Sequence, residues 1–298
     1  MKRPPSLKKG DRIGIVAPAR KISQTVLNPA FSIMEKLGFE PVFDSRLFDA
    51  DRQFAGTDEQ RAAYFQQMLN DVDIRAVLSA RGGYGSVRII DRLDLQHFSE
   101  HPKWIIGYSD MTVFLNHLVK HTGVQTLHAS MPLNFKENTP EALEGLFSVL
   151  QGTSPAYEIP SNPLNRKGDT NGMLVGGNLS VLYSMLGSNS FPEVEGNILF
   201  LEDLDEYLYH IDRMMMALKR AGILEKIGGL LVGAMTDMND NEIPFGSSAE
   251  EIIREAVSQY DYPVCFGFPA GHIPDNRPLI MGAQVSMKAD DKVTLKFN

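Results

Sequence analysis

KWIIGYSDMT, residues 103–112, contains the pattern from which the fold is predicted. Its apolar start predicts a buried β-strand, Gly107 allows a tight turn, and a segment with helical spacing begins at Asp110. Similar apolar runs, each separated from the next by an amphipathic segment, occupy residues 12–17, 40–43, 75–79 and 124–127. Strands that alternate with helices predict a parallel sheet covered on both faces, and therefore an α/β fold.

A change in composition near residues 151–170 predicts a domain crossing, because this stretch is dense in Pro, Gly, Ser and Asn. We therefore predict an N-terminal α/β domain over residues 1–153, a linker over 154–170 and a C-terminal domain over 171–298. The length of 298 residues suits two domains of ordinary size. Strand-like runs near the C-terminus predict a mixed α/β second domain.

The composition argues against several classes of protein. Lys and Arg total 29 and Asp and Glu total 37, so the net charge of -8 disfavours nucleic-acid binding. No apolar run approaches the ~18 residues of a membrane span, and the basic start has no following apolar run typical of a signal peptide. The one cysteine, Cys265, excludes an internal disulfide and fits a reducing compartment. No spacing typical of a metal site occurs.

Ser109 lies between the end of the predicted strand and the start of the predicted helix, and two interpretations of it are open. A serine on such an elbow has its hydroxyl raised above the sheet, and the N–H group of Asp110 can donate to an oxyanion. The alternative is a serine that only caps the helix, although Thr112 does not complete a capping box. From this stretch alone, the cap is the favoured interpretation.

Three glycines follow another predicted strand in SARGGYGSVR, residues 79–88. Bare N–H groups in such a loop suit an oxyanion, a carboxylate or a phosphate. The spacing matches neither the dinucleotide fingerprint nor a P-loop, so a plain glycine turn remains an equal alternative.

An acid and a histidine in the second half supply partners for a serine nucleophile. Glu202 ends a predicted strand within an acidic cluster over residues 202–206, which could instead only complement a helix N-terminus. His272 lies in a loop rich in Gly and Pro, and His128 is the second choice of base. The order Ser, acid, His resembles the arrangement of serine hydrolases.

Six motifs, in order and over nearly the whole chain, resemble the LD-carboxypeptidases, a family of serine peptidases that also has microcin-immunity relatives. One departure is minor: HASMP stands at 128–132, where the family usually has His-Gly before the Pro. The six motifs are GDRIGIVAPA (10–19), RGGYG (81–85), IGYSDMT (106–112), LVGGNLSVL (174–182), LFLEDLDEYLYHIDR (199–213) and AGHIPDNRPLIMG (270–282).

This resemblance implies a role for each candidate. Ser109 becomes the nucleophile, Glu202 the triad acid and His272 the base. The implied oxyanion donors are the backbone N–H groups of Asp110 and Gly83. The implied fold is a flavodoxin-like N-terminal domain with a smaller β-rich C-terminal domain, and the implied site lies in the cleft between them.

The resemblance also implies the reaction, which is release of terminal D-alanine from a murein tetrapeptide without a metal or organic cofactor. It implies a cytoplasmic homodimer that acts in cell-wall recycling. The acidic composition and the lack of a long apolar run add the expectation that the protein binds neither nucleic acid nor membrane. Arg81, Asn178 and Arg277 are candidates for substrate binding from their positions alone. Two alternatives stay open: a microcin-immunity-like hydrolase of peptidyl- or aminoacyl-nucleotide amides, and a non-catalytic murein-peptide binding protein. The presence of all three triad residue types argues against the second.

Overall fold

The computed structural model describes all of residues 1–298, which form two compact units. The first unit comprises Met1–Thr153 with Pro274–Gly282, and the second comprises Ser154–Ile273 with Ala283–Asn298. Each unit is built around one sheet.

The chain contains thirteen strands and eight α-helices, which alternate along the first 150 residues. The strands are β1 Arg12–Val16, β2 Glu40–Val42, β3 Ile74–Ser79, β4 Trp104–Gly107, β5 Thr126–His128, β6 Ala156–Pro160, β7 Gly168–Asn178, β8 Ile198–Leu204, β9 Gly229–Thr236, β10 Val264–Cys265, β11 Leu279–Met281, β12 Gln284–Ala289 and β13 Lys292–Phe297. The α-helices are α1 Gln24–Lys36, α2 Asp58–Asn70, α3 Gln96–Glu100, α4 Thr112–Thr122, α5 Pro140–Leu150, α6 Leu179–Ser184, α7 Leu208–Arg220 and α8 Ala249–Ala256.

The sheet of the first unit has the strand order β11-β5-β4-β3-β1-β2. Strands β1 to β5 are parallel and follow the flavodoxin-like order 2-1-3-4-5, in which the direction of winding reverses between β1 and β3. Each of these strands lies on one of the apolar runs in the sequence. The predicted flavodoxin-like parallel sheet is therefore confirmed.

The edge strand β11 differs from the sequence expectation, which assigned all of residues 171–298 to the second domain. Leu279–Met281 pair antiparallel with β5, and the N–H group of Thr139 donates to Pro274 O. Residues 274–282 therefore belong to the first unit. This return of the chain could not be predicted, because pairing between strands so far apart leaves no local pattern.

The second unit has a seven-stranded mixed sheet in the order β10-β9-β8-β7-β12-β13-β6. Strands β7 to β10 are parallel, and β12, β13 and β6 extend the sheet in antiparallel fashion from β7. The predicted β-rich character of this part is confirmed. The predicted linker over residues 154–170 contains the strand β6, which ends at Pro160. This strand lies at the edge of the sheet, where proline is tolerated.

Both sheets contain fully buried strands. All four residues of β4 are buried, and Trp104 at its start is fully enclosed. Cys265 is buried in β10, and this burial raises the pKa of its thiol to about 12, which fits a core residue and not a reactive thiol. None of the helices combines the length and the apolar character needed to cross a membrane.

Candidate active site

Ser109 lies on a strained elbow at the carboxyl end of β4. Its φ of 63° is in the left-handed region, which residues other than glycine rarely adopt. A Cβ at Gly107 would lie 2.7 Å from Met111 Cγ, so the elbow closes only over a bare glycine. No side-chain hydrogen bond caps the helical turn at 109–111 or α4. The cap favoured by the local sequence is therefore not formed, and the Ser109 hydroxyl has no capping role.

The glycine loop that follows β3 packs directly against this serine. A Cβ at Gly82 would lie 3.0 Å from both the Cβ and the Oγ of Ser109. Its neighbour Gly83 has a φ of +123°, which strains any other residue. The N–H group of Gly83 as an oxyanion donor stays a prediction. The close packing of Gly82 against Ser109 was not predicted, although the paired glycines at 82 and 83 were a signal for it.

Two buried charged side chains hold the far end of the same loop. Arg61 Nη1 donates to Gly85 O at 3.1 Å, and the N–H group of Ser86 donates to Asp110 Oδ2 at 2.8 Å. Both side chains belong to residues only 3% exposed. Burial raises the pKa of the Asp110 carboxyl, although hydrogen bonds from Ser86 and Gly85 and the charge of Arg61 oppose this shift. We call this arrangement the Arg61–Asp110 clamp.

Arg61 makes further contacts that fix the clamp to the surrounding loops. Its guanidinium donates to the carbonyl oxygens of Gly56 and Pro18, and it pairs with Asp58. Asp58 also accepts two hydrogen bonds from Arg88, at 2.9 and 2.8 Å. Arg61 could not be picked out from the sequence, because an arginine in a helix ordinarily faces solvent.

The second unit contains a histidine–carboxylate pair. His272 Nδ1 lies 2.7 Å from Glu202 Oε2, and the Glu202 side chain is fully buried. A Cβ at Gly271 would lie 2.8 Å from that same carboxylate oxygen, so glycine before the histidine permits the close approach. Burial disfavours the protonated ring, but the charge of Glu202, their hydrogen bond and the charge of Asp203 together raise the pKa of His272.

Asn178, a predicted substrate-binding residue, has a structural role beside this pair. Its Oδ1 accepts the N–H group of Val181 at 3.1 Å and so caps α6, while its Nδ2 donates to Asp203 Oδ1 at 2.8 Å. Burial and the neighbouring charge of Glu202 raise the pKa of Asp203 to about 7. Contact of Asn178 with a substrate stays a prediction.

The two candidate arginines have different surroundings. Arg277 forms an ion pair with Asp275 at 3.1 Å, so its charge is already compensated. Arg81 donates to the carbonyl oxygens of Gly82 at 3.3 Å and Lys21 at 3.2 Å and has no carboxylate partner. Of the two, Arg81 is the better placed to bind an anion from outside the protein.

The chain resembles known proteins along most of its length. Residues 13–129 match the LD-carboxypeptidase N-terminal domain, and residues 171–287 match the LD-carboxypeptidase C-terminal domain. A "Probable murein peptide carboxypeptidase" of Bacillus subtilis is 32% identical over 98% of this chain and 93% of its own length. A "Murein tetrapeptide carboxypeptidase" of Pseudomonas aeruginosa is 31% identical over 89% of each chain.

The chain is also similar to a protein of solved structure and to a self-immunity protein. The crystal structure of muramoyltetrapeptide carboxypeptidase from Oxalobacter formigenes has a TM-score of 0.88 and 27% identity, over 96% of this chain and 98% of that chain. The microcin C7 self-immunity protein of Escherichia coli is 26% identical over 95% of this chain and 92% of its own length. Since identity above 30% extends over nearly the whole chain and both domain types match in order, this protein belongs to the LD-carboxypeptidase family of peptidases.

Proposed function

We propose that this protein is a serine carboxypeptidase that releases terminal D-alanine from murein tetrapeptides by hydrolysing the amide between an L-centre and that residue. The observation that carries the proposal is the left-handed Ser109 at the end of β4, with Gly82 packed against its hydroxyl. Strain of this kind is retained where a surrounding structure and a function require it. The murein substrates in the names of its relatives support the choice of substrate.

In the proposed acylation step, Ser109 Oγ attacks the carbonyl carbon of the L-centre while His272 Nε2 accepts the hydroxyl proton. Glu202 is hydrogen-bonded to Nδ1 of His272, and it fixes the tautomer of that ring and stabilises its cationic form. The N–H groups of Asp110 and Gly83 donate to the oxyanion of the tetrahedral intermediate. The base is thereby prepared before substrate binds, because its orientation depends on a buried carboxylate.

Collapse of that intermediate breaks the C–N bond, and His272 returns the proton to the leaving amine of D-alanine. A water molecule then attacks the resulting ester of Ser109 and gives its proton to His272. The ester C–O bond breaks, the shortened peptide leaves with a new carboxylate, and Ser109 recovers its proton. The sequence of steps balances without a redox partner or a metal ion.

We also propose, from the family resemblance, that the enzyme acts in the cytoplasm as a homodimer in cell-wall recycling. The single cysteine supports a reducing compartment. Light scattering on the purified protein measures the oligomeric state, and a mass of one chain would contradict the dimer.

The test of the function is release of D-alanine from a synthetic murein tetrapeptide, followed with D-amino-acid oxidase. We expect turnover by the wild-type protein, a loss of ~10³-fold or more in Ser109→Ala, and no cleavage of the all-L peptide. Cleavage of an aminoacyl-nucleotide amide without D-alanine release would favour the microcin-immunity activity. Peptide binding without cleavage of either compound would favour the non-catalytic alternative.

A further inference from the structure

Two arginines follow the carboxyl ends of the neighbouring strands β1 and β3. Arg20 lies four residues beyond the end of β1, and Arg81 lies two residues beyond the end of β3. In this sheet the winding direction reverses between these strands, and ligands of doubly wound sheets bind at such a point. Both cations therefore lie where the topology favours a ligand.

Arg20 contacts the glycine loop that flanks the nucleophile. A Cβ at Gly83 would lie 2.6 Å from the Cγ and Cδ atoms of Arg20 and 3.0 Å from its Nε. The arginine stem thus crosses bare backbone, and the preceding Gly82 packs against Ser109. Arg20 therefore lies against Gly83, the residue that follows the glycine packed against the Ser109 hydroxyl.

The charges of the two arginines are uncompensated by the protein. Neither guanidinium has a carboxylate oxygen within 4.0 Å. Arg81 is half-buried and oriented by the carbonyl oxygens of Gly82 and Lys21. Burial, and then the nearby charge of Arg20, lower the pKa of Arg81. The two positive charges repel each other, and no carboxylate of the protein compensates them. An anion that binds both arginines is therefore attracted by two charges at once.

We propose that Arg20 and Arg81 bind the free carboxylate of the terminal D-residue and so restrict cleavage to the end of the peptide. This inference rests on the proposed function. In the substrate, only the amide nitrogen and one Cα separate that carboxylate from the scissile carbonyl, so one loop can serve both groups. The planar guanidinium suits the two oxygens of a carboxylate better than an ammonium does.

The test compares two substrates: the tetrapeptide with a free carboxylate and the same peptide with a C-terminal amide. For Arg20→Gln and Arg81→Gln we expect kcat/KM on the free acid to fall about 10- to 100-fold, and kcat/KM on the amide to change less than about twofold. Arg20→Lys should fall between Arg20→Gln and the wild type. Lys36→Gln, a loss of one exposed charge on α1, is the matched control and should behave as the wild type.

Different outcomes overturn the two proposals. Equal losses on both substrates in the arginine variants, or a wild-type enzyme that cleaves acid and amide equally well, would overturn the carboxylate site alone. A folded wild-type protein that releases no D-alanine and no D-alaninamide would overturn the proposed function, and the carboxylate site with it. Thermal unfolding of each variant shows whether its kinetics describe a folded protein.

Discussion

Arg61 and Asp110 hold opposite ends of a single peptide group. Arg61 donates to the carbonyl oxygen of Gly85, and Asp110 accepts the N–H group of Ser86. A buried charge without a partner is costly, so each of these side chains depends on the peptide and on its other contacts. Because this peptide ends the glycine loop that packs against Ser109, the Arg61–Asp110 clamp fixes the loop relative to the proposed nucleophile.

Asp110→Asn tests whether the clamp positions the glycine loop and the oxyanion donor that we propose at Gly83. The amide keeps an oxygen that accepts the Ser86 N–H group but removes the charge near Arg61. We expect kcat to fall about 10- to 100-fold with little change in KM, because misplaced donors are felt mainly in the transition state. Asp94→Asn, at an exposed position, is the control. A lower melting temperature with unchanged kcat would show a purely structural role.

Gly82→Ala tests the close packing of the loop against the serine. The φ of Gly82 is not in the left-handed region, so alanine fits the backbone, but its Cβ would lie 3.0 Å from Ser109 Oγ. We expect kcat/KM to fall about 10²-fold or more, with a melting temperature close to the wild type. The measurement pairs turnover with thermal unfolding.

Gly10→Ala is the matched control for that substitution, because it should give the opposite pattern. Gly10 has a φ of +89° and nothing within 4 Å of the added Cβ, so alanine there strains only the backbone. We expect a lower melting temperature and full turnover. A Gly82→Ala variant with wild-type turnover would contradict the packing argument.

Ser109→Gly, compared with Ser109→Ala, measures the strain at the elbow. Both variants lack the proposed nucleophile, but only glycine adopts the φ of 63° without strain. We expect the free energy of unfolding of Ser109→Gly to exceed that of Ser109→Ala by ~1 kcal/mol, measured in urea. An alanine variant of equal or greater stability would show that the elbow is not strained.

The first sheet could be predicted from the sequence because its strands carry local signals. The apolar run ending at Ile106 and the glycine that follows predict both β4 and the elbow. Strand β11 could not be predicted in the same way, since its three residues pair with a strand more than 150 positions earlier. Such pairing depends on the assembled fold and not on the local pattern.

In the candidate site, too, some residues could be predicted from the sequence and others could not. Ser109, Glu202 and His272 were singled out by their residue types, and the resemblance to the LD-carboxypeptidases gave them their triad roles. The structure shows the contact between His272 and Glu202, and the three catalytic roles stay a prediction. Arg61 and Gly82 were missed, because their significance depends on what they contact in the folded chain. Neither a buried arginine nor a closely packed glycine can be recognised from its own residue type.

Glu202→Gln tests the proposed base through its pH dependence. The base acts when neutral, so wild-type activity should fall as pH decreases through the raised pKa of His272. Removing the charge of Glu202 lowers that pKa, and the acid limb of the kcat/KM profile should move to lower pH. We also expect kcat to fall ~10²-fold or more, because an amide at this position favours the wrong tautomer of the ring.

Asp203→Asn separates this effect from a general loss of negative charge. Asp203 also raises the pKa of His272, but its carboxylate is bonded to Asn178 and Ser180, and its effect is smaller than that of Glu202. The acid limb should therefore move less in Asp203→Asn than in Glu202→Gln, with a smaller loss of kcat. Equal shifts in the two variants would mean that charge alone acts on the ring, whereas an unmoved limb in Glu202→Gln would show that His272 is not the titrating base.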